Sequence, residues 1–558
     1  MEYTAIHYLV AMLKAYEIKH IVSSPGTQNS LFNMIVQQDS DFQCYSVIDE
    51  RSAAYFATGI SHELSVPVVI DCTGASASRN YLSAMTESYY RHIPIIAITF
   101  TNIAGNPYEL TAQYMNRSVT LADVKSISVE LPRINDNKDK VKCLTFLNTV
   151  LFEAVYKNRP VHINCPASFD FSSLKDLPSD IWKTEYYTKD YEQQEGSLKN
   201  KDVAVFIGSH RKFTSEEENA LSNFAESHSC PVFCDHTSNY KGKNKVLSAK
   251  ATTILDLKRK PELIIDIGNV SGDYSCTSLF SKAEIWRVTE NNSFACRFGK
   301  PVKKTFAVNE MDFFTKMTKE DNKSNDYYSY VSENINNIKI PDLPLSNPLI
   351  CQKLAEFIPK GSTLHHSVSN TKRCMNFFDF DNSINIACNV GVCGIDGPVS
   401  TMVGQSVADK NKKCFGILGD LAFFYDMNVL GQRDIGKNLR IILINNNRGE
   451  EFRLNPSLEQ YCAEKADVLI SAAGHNKGGA SGWAKSCGFH YMSARTKDEF
   501  LNQIYDFCNA EFENPVLFEI FTTDEDEKKG LNLMKTYNKS EIEEKLKKYY
   551  RAIKKIIK

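Results

Sequence analysis

The chain has 558 residues, of which 42% are hydrophobic and 24% are charged, and its formal net charge is −2 at pH 7. This length predicts three or four domains of ordinary globular composition, and the near-neutral charge gives no reason to expect nucleic acid as a partner. The sixteen Cys residues contain no CxxC pair, which favours reduced thiols over disulfides or a zinc site. The chain has no signal-like N-terminus and no apolar run of 18 residues, so we expect a cytoplasmic protein without a transmembrane segment.

The first 100 residues alternate between helical and strand patterns. Residues 4–19 carry apolar side chains at roughly helical spacing, and short apolar runs that predict strands follow at His20–Val22, Tyr45–Ile48, Val66–Cys72 and Ile93–Phe100. The first of these runs ends on Ser23-Ser24-Pro25-Gly26, and the third ends on Thr73-Gly74-Ala75. Strands that alternate with helices are typical of a parallel α/β sheet.

Glu50 lies between a predicted strand and a predicted helix. A carboxyl group in this position can face a cleft and share its proton with a ring nitrogen of a ligand. A glutamate at the start of a helix is also favoured by the helix dipole alone, so both interpretations stay open.

Residues 195–335 form a separate block. Asp202–Gly208 and Glu262–Gly268 are two apolar runs that end in glycine, and a helical pattern and the short strand Cys230–Cys234 lie between them. This pattern predicts a small Rossmann-like domain, and the block has no GxGxxG motif for a dinucleotide. The Lys-, Asn- and Asp-rich residues 320–346 predict a linker.

The third block contains two apolar runs with polar ends. Phe415–Leu418 ends on Gly419-Asp420, and Ile441–Ile444 ends on Asn445-Asn446-Asn447. Two neighbouring parallel strands would bring Asp420 and Asn447 together, because ligands in such sheets bind at the carboxyl ends of the strands. Carboxylate and carboxamide oxygens suit a Mg²⁺ ion that also holds a diphosphate. Two core strands with polar ends are the plainer alternative.

Several motifs resemble those of thiamine-diphosphate (ThDP) enzymes. The segment from Cys414 to Phe452 resembles the ThDP signature, Gly-Asp followed by Asn-Asn about two dozen residues later. Asp49-Glu50-Arg51-Ser52-Ala53-Ala54 and the stretches SSPGTQNS and DCTGASASRNY are similar to motifs of the menaquinone-pathway succinyl-enolpyruvyl-hydroxycyclohexene-carboxylate synthases. The resemblance implies three doubly wound parallel-sheet domains: a pyrimidine-binding domain at 1–185, a central Rossmann-like domain at 195–335 and a diphosphate-binding domain at 345–535. The basic residues 536–558 predict a C-terminal amphipathic helix.

The same resemblance assigns the cofactor site. It makes Glu50 the catalytic group that activates the cofactor, and it makes Asp420, Asn447 and the carbonyl of Gly449 the ligands of Mg²⁺. It places Ile395 beneath the bent cofactor. The implied cofactor-binding residues are Ser24, Pro25, Gly26, Thr73, Asn80, Ser367, Ser369, Gly394, Ile395, Asp396, Gly419, Asp420, Leu421, Asn447, Glu451 and Phe452.

The substrate site matches the family only in part. Ser369 and Arg373 match the pair that holds the distal carboxylate of 2-oxoglutarate, and an Arg fork suits a carboxylate. Gln28 and Thr101-Asn102 stand where the family has arginines for isochorismate, and Val390 replaces a further arginine. The family's Gly-Gly-x-Ile-Phe stretch is Arg448-Gly449-Glu450-Glu451-Phe452 here. The predicted substrate residues are Gln28, Asn29, Gln113, Ser369, Arg373, Arg448 and Glu450.

The resemblance therefore implies a ThDP- and Mg²⁺-dependent enzyme that decarboxylates a 2-oxo acid, 2-oxoglutarate first, and transfers the acyl unit to a polar acceptor other than isochorismate. A simple decarboxylase that releases an aldehyde, a true menaquinone-pathway synthase and a catalytically silent ThDP-fold protein are the alternatives. Since the cofactor of this superfamily lies between subunits, the resemblance also implies a homodimer or homotetramer.

Overall fold

The structure is a computed structural model that describes residues 3–64, 66–74, 76–101, 121–172, 174, 176–290, 296–318, 325–391, 393–454 and 465–539. The chain divides into two compact units, residues 1–189 with 285–308 and residues 190–284 with 309–558. The division into three domains and a C-terminal helix remains a prediction, and residues 540–558 of that helix lie outside the described residues. None of the described helices is long and apolar enough to cross a membrane.

The first unit contains a six-stranded parallel sheet in the order β2-β1-β3-β4-β6-β5. Its strands are β1 (His20–Ser23), β2 (Gln43–Ser46), β3 (Val68–Thr73), β4 (Ile95–Thr101), β5 (Ile127–Glu130) and β6 (Val161–Pro166). Its helices are α1 (Ala5–Ala15), α2 (Ser30–Val36), α3 (Glu50–Leu64), α4 (Ala77–Asn80), α5 (Leu82–Arg91) and α6 (Asn137–Lys157). Alternate residues of β4 are buried in two different apolar clusters, as expected of a strand covered on both faces.

The first unit also contains four short strands and all but the first residue of a fifth outside this sheet. Three of them, β7 (Glu185–Tyr187), β12 (Glu284–Val288) and β15 (Lys304–Phe306), pair in parallel in the order β12-β15-β7. The other two, β13 (Cys296–Arg297) and β14 (Lys300–Pro301), form an antiparallel pair.

The second unit begins with four parallel strands in the order β10-β9-β8-β11. They are β8 (Val203–Ile207), β9 (Val232–Cys234), β10 (Lys245–Leu247) and β11 (Leu263–Ile267), and the helices around them are α7 (Ser215–Ser227), α8 (Glu310–Met317) and α9 (Tyr327–Asn336). The three strands predicted in this block are β8, β9 and β11.

A second six-stranded parallel sheet follows, in the order β17-β16-β18-β19-β21-β20. Its strands are β16 (Thr363–His366), β17 (Asn385–Ala387), β18 (Cys414–Gly419), β19 (Leu439–Asn445), β20 (His490–Ala494) and β21 (Val516–Phe521). The helices are α10 (Asn347–Phe357), α11 (Asn370–Met375), α12 (Pro398–Ala408), α13 (Asp420–Asp426), α14 (Glu450–Leu454), α15 (Lys465–Ile470), α16 (Ser481–Ser486), α17 (Lys497–Asn509) and α18 (Asp524–Thr536).

Both large sheets have a topological switch point, which determines where a site can form. The strand order reverses between β1 and β3 in the first sheet and between β16 and β18 in the second. Connections leave to opposite sides at such a point, so a crevice opens at the carboxyl ends of the two strands. The predicted class, α/β with doubly wound parallel sheets, is confirmed.

Candidate active site

The crevice of the second unit lies where β16 and β18 end. The backbone N–H of Ser367, just after β16, donates to the carbonyl of Ile417 in β18 at 2.9 Å. A cavity of about 250 Å³ opens there. Of the residues predicted from the sequence, its lining includes Ser367, Ser369, Ile395, Gly419, Asp420, Leu421, Arg448, Gly449, Glu450, Glu451 and Phe452. Gly394 and Asp396 flank Ile395 in the chain without lining the cavity.

Asp420 is the buried carboxylate of this crevice. It begins α13 directly after β18, and only 2% of its surface is exposed. One oxygen accepts the N–H of Leu421 at 2.8 Å, and the other accepts the backbone N–H of Arg448 at 3.1 Å and lies 3.2 Å from Nε2 of His475. The hydrogen bond from Arg448 brings the loop after β19 onto Asp420, as the strand register predicts.

Asn447 lies in that loop with a φ of 59°, a left-handed conformation that asparagine tolerates better than most residues. Its backbone N–H donates to Oδ1 of Asn445 at 3.0 Å, and its own Oδ1 accepts the N–H of Asn476 at 3.1 Å. The N–H of Gly449 donates to the carbonyl of Ser471 at 2.6 Å. These three hydrogen bonds hold the loop at Asn447 and Gly449, and the one from Asn476 fixes the orientation of the Asn447 side-chain amide.

These residues fit the predicted Mg²⁺ and diphosphate. The donor set is one buried carboxylate, one carboxamide and one backbone carbonyl, all of them hard oxygens. Within the described residues there is no group of three or more His, Cys, Asp or Glu side chains that could hold a metal ion. A Cβ added at Gly419, which lines the cavity, meets no atom within 4 Å, so the cavity extends up to the backbone there.

Arg373 and Glu451 form an ion pair near this cavity. Nη2 of Arg373 lies 2.8 Å and 3.0 Å from the two carboxylate oxygens of Glu451, and Nη1 donates to Oδ1 of Asn370 at 3.3 Å. Glu451 lines the cavity, whereas Arg373 is not among the lining residues. The guanidinium that was predicted to hold a substrate carboxylate thus already holds a carboxylate of the chain.

Ser369 is the N-cap residue of α11, and Lys372 lies in the first turn of that helix. Ser369 caps this helix with φ 59° and ψ −125°, an unusual conformation for a residue with a side chain. Nζ of Lys372 lies 2.5 Å from Oδ2 of Asp235, and both side chains are less than 5% exposed. Despite its burial, the pKa of Lys372 is raised, because the Asp235 carboxylate outweighs the loss of solvation.

Arg448 and Glu450, both predicted to contact substrate, line the cavity, and Arg448 is paired with acidic residues of the chain. Nη1 of Arg448 lies 3.0 Å from Asp467 and 3.9 Å from Asp524. Glu450 is only 5% exposed, and its carboxyl group lies beside that of Asp524. Burial, followed by the nearby Asp524 carboxyl, raises the pKa of Glu450 to about 10.

The crevice of the first unit is built around Asp71. This residue of β3 is fully buried, and burial raises its pKa to about 7. Oδ1 accepts Nδ2 of Asn29 at 2.6 Å and the hydroxyl of Ser23 at 3.2 Å. Nδ2 of Asn29 also donates to the carbonyl of Ser24 at 3.1 Å. Asn29 is fully buried, and its side-chain amide is engaged within the fold, while its predicted contact with substrate stays a prediction.

The loop after β1 lies directly against the end of β3. A Cβ added at Gly26 would come 2.2 Å from Cγ2 of Thr73, so this position requires glycine. Ser24 is buried, and its hydroxyl donates to the carbonyl of Val47 at 2.8 Å, while Pro25 is exposed. Four of the predicted residues, Ser24, Pro25, Gly26 and Thr73, therefore lie together at the switch point.

Glu50 begins α3 and is partly exposed, and its Oε2 accepts Nδ2 of Asn80 at 2.9 Å. Gln28 is partly buried. Thr101 is buried at the end of β4, where its hydroxyl and Asn164 lie within hydrogen-bond distance. Gln113 and Asn102 lie outside the described residues.

Several polar residues of these crevices were not predicted from the sequence. His475 contacts Asp420, and Asn347, Asn370 and Asn446 line the cavity. Asp71 had a usable signal, since it interrupts the apolar run Val66–Cys72. His475 had none, because it comes 55 positions after Asp420 and lies in no recognisable motif.

Comparison with known proteins identifies relatives along almost the whole chain. Residues 3–116 match the model of the family described as thiamine pyrophosphate enzyme, N-terminal TPP binding domain. The chain is 30% identical over 560 residues to the 2-succinyl-5-enolpyruvyl-6-hydroxy-3-cyclohexene-1-carboxylate synthase of Phocaeicola vulgatus, covering 95% of this chain and 97% of that protein. It is 28% identical to the protein of the same name from Bacteroides fragilis, with the same coverage, and 25% identical to that of Staphylococcus haemolyticus, covering 81% and 84%.

Proposed function

Because this chain belongs to the family of thiamine-diphosphate-dependent 2-succinyl-5-enolpyruvyl-6-hydroxy-3-cyclohexene-1-carboxylate synthases, we propose that it decarboxylates a 2-oxo acid and transfers the acyl unit to a polar acceptor other than isochorismate. The observation that supports the first part is the hydrogen bond from the backbone N–H of Arg448, the residue after Asn447, to Asp420 at the ends of two adjacent strands, although Asn447 itself is not among the residues that line the cavity.

Each part of the site has a role in this proposal. Asp420, Asn447 and the Gly449 carbonyl would hold Mg²⁺ and the diphosphate of the cofactor. Thiamine diphosphate, when bound, supplies a nucleophilic carbon and an electron sink for decarboxylation. Glu50 would hold a proton for the pyrimidine ring, and Asn80, which donates to its carboxylate, would orient it. Ile395, on the cavity wall, would exclude water from the reacting carbon.

The proposal on the acceptor rests on two residues of the first unit that are uncharged where the family resemblance implies arginines. Gln28 and Thr101 stand at positions where the family resemblance implies arginines, and neither side chain carries a charge. Thr101 is buried and interacts with Asn164, so this position offers no positive charge to an acceptor. An acceptor with two carboxylates would thus lose two charge-assisted hydrogen bonds, each of which contributes roughly 1.5–3 kcal/mol.

A second candidate is the reaction in the relatives' printed name, the synthesis of 2-succinyl-5-enolpyruvyl-6-hydroxy-3-cyclohexene-1-carboxylate. It is favoured by the coverage of 95% of this chain and 97% of the Phocaeicola vulgatus protein, which leaves no large part of the relative unmatched. This candidate predicts efficient product formation from 2-oxoglutarate and isochorismate, which the first proposal excludes.

The cofactor site is tested by calorimetric titration of ThDP in the presence of Mg²⁺. We expect Asp420→Ala to abolish binding, because the remaining oxygens are neutral and hold Mg²⁺ poorly. Asp434→Ala is the matched control, since Asp434 is exposed and lies between β18 and β19. Binding to Asp420→Ala with wild-type affinity would reject the metal assignment.

The reaction is tested by release of CO₂ from a panel of 2-oxo acids that includes 2-oxoglutarate, the donor predicted from Ser369 and Arg373. Product analysis with isochorismate, with hydroxylated or amino-bearing acceptors and without acceptor separates the two candidates from an aldehyde-releasing decarboxylase. Failure to release CO₂ from any donor with ThDP bound would reject the proposed reaction and favour a catalytically silent protein.

We also propose that the chain forms a homodimer or homotetramer, since the resemblance implies a cofactor bound between subunits. Light scattering after size-exclusion chromatography measures the mass directly. A monomer that binds ThDP and turns over substrate would reject this assembly.

A further inference from the structure

The ion pair between Arg373 and Glu451 bears on the choice of donor. Both oxygens of Glu451 lie within 3.0 Å of one guanidinium nitrogen, and the two side chains are 32% and 37% exposed. The pair is thus accessible from the solvent and close to the cavity. A carboxylate that came from a substrate would have to displace Glu451 to reach the same nitrogen.

The charges around the cavity make such a displacement unfavourable. Among the described lining residues, Arg448 is the single basic residue. Of the three acidic ones, Glu450 stays protonated because its pKa is raised to about 10, and Asp420 is assigned to Mg²⁺, so Glu451 is the carboxylate that lacks a counter-ion other than Arg373. Arg448 is paired with Asp467. The next cation along α11, Lys372, is buried against Asp235. A displaced Glu451 would therefore find no other positive partner on this wall, and it would repel the incoming carboxylate.

We infer that Glu451 is a specificity-determining residue that occupies the Arg373 guanidinium, so that the donor is a 2-oxo acid whose far end carries no negative charge. This inference rests on the proposed decarboxylation and revises the donor from 2-oxoglutarate to a short 2-oxo acid with an uncharged tail. Glu451 stands where the family resemblance implies isoleucine, which cannot pair with an arginine.

The first test compares donors with the ThDP-loaded enzyme. We expect wild-type kcat/KM for CO₂ release to be at least about tenfold higher for 2-oxobutyrate than for 2-oxoglutarate. Glu451→Gln keeps the size of the side chain and removes its charge, so the ratio of 2-oxoglutarate to 2-oxobutyrate should rise by about tenfold or more. Adding Arg373→Met to Glu451→Gln should cancel that rise. Glu511→Gln is the control, because Glu511 is exposed and pairs with Lys413.

The second test needs no turnover. Calorimetry with glutarate, which has two carboxylates and no 2-oxo group, should show about tenfold tighter binding to Glu451→Gln than to the wild-type holoenzyme, and butyrate should show no such gain. Wild-type preference for 2-oxoglutarate, or an unchanged glutarate affinity in Glu451→Gln, would overturn the inference. Absence of CO₂ release from every donor would instead reject the proposed reaction, and the glutarate titration would still decide the role of Glu451.

Discussion

Glu527 provides a test of the electrostatics beneath the candidate site. It lies in α18 and is fully buried. Its oxygens accept the backbone N–H of Asn347 at 3.1 Å and Nδ2 of the same residue at 3.0 Å. Burial raises the pKa of Glu527 to about 7, although these hydrogen bonds act in the opposite direction. The folded protein thus keeps a proton on Glu527 that the unfolded chain releases near pH 4.5.

This difference in proton binding determines whether the free energy of unfolding rises or falls with pH. Between about pH 4.5 and 7 the folded state binds one more proton than the unfolded state, so the free energy of unfolding falls as the pH rises. The full shift corresponds to about 3 kcal/mol, at roughly 1.4 kcal/mol per pH unit, and the loss is complete above pH 7. The side chain at position 527 cannot titrate in Glu527→Gln. The free energy of unfolding of the wild type, relative to that of the variant, should therefore fall by this amount between pH 4.5 and 8.

The assay is thermal unfolding of wild type and Glu527→Gln at several pH values. For a cooperative unit of several hundred residues, about 3 kcal/mol corresponds to a change of a few degrees in the difference between the two unfolding midpoints. Glu525→Gln is the matched control, because Glu525 lies in the same helix and is exposed. A difference between wild type and Glu527→Gln that stays constant from pH 4.5 to 8 would refute the assignment of a buried, protonated Glu527.

The parts of the site that the sequence predicted are those at strand ends. Gly419 and Asp420 close one apolar run, Asn445 to Asn447 close the next, and the structure pairs Gly419 with Ile444 in adjacent strands. This prediction needed only the rule that parallel strands end at the same edge of a sheet. Ser24, Gly26 and Thr73 also follow strand ends, and Gly26 lies against Thr73, but these residues were assigned to one site through the family resemblance.

The pairing of side chains was not predictable in the same way. Glu451 and Arg373 are 78 positions apart, and Lys372 and Asp235 are 137 positions apart. Each residue alone is compatible with a ligand contact, and only the packing of its helix shows that another residue of the chain already neutralises it. Polar residues in a crevice form hydrogen bonds and ion pairs with one another. A motif match therefore overestimates how many of them contact a ligand.

Two further predictions concern the proton donor and the buried ion pair. Glu50→Gln should bind ThDP in calorimetry yet lose roughly 10²–10⁴ in kcat, because a carboxamide cannot pass a proton to a ring nitrogen, and wild-type turnover would place that role elsewhere. Lys372→Met should lower the stability of the second unit by about 3–5 kcal/mol, since it leaves the Asp235 carboxylate buried without a cation. Adding Asp235→Asn removes that uncompensated charge, so the double variant should unfold at a higher temperature than Lys372→Met. A double variant no more stable than Lys372→Met would refute the view that the cost comes from the unpaired Asp235 carboxylate.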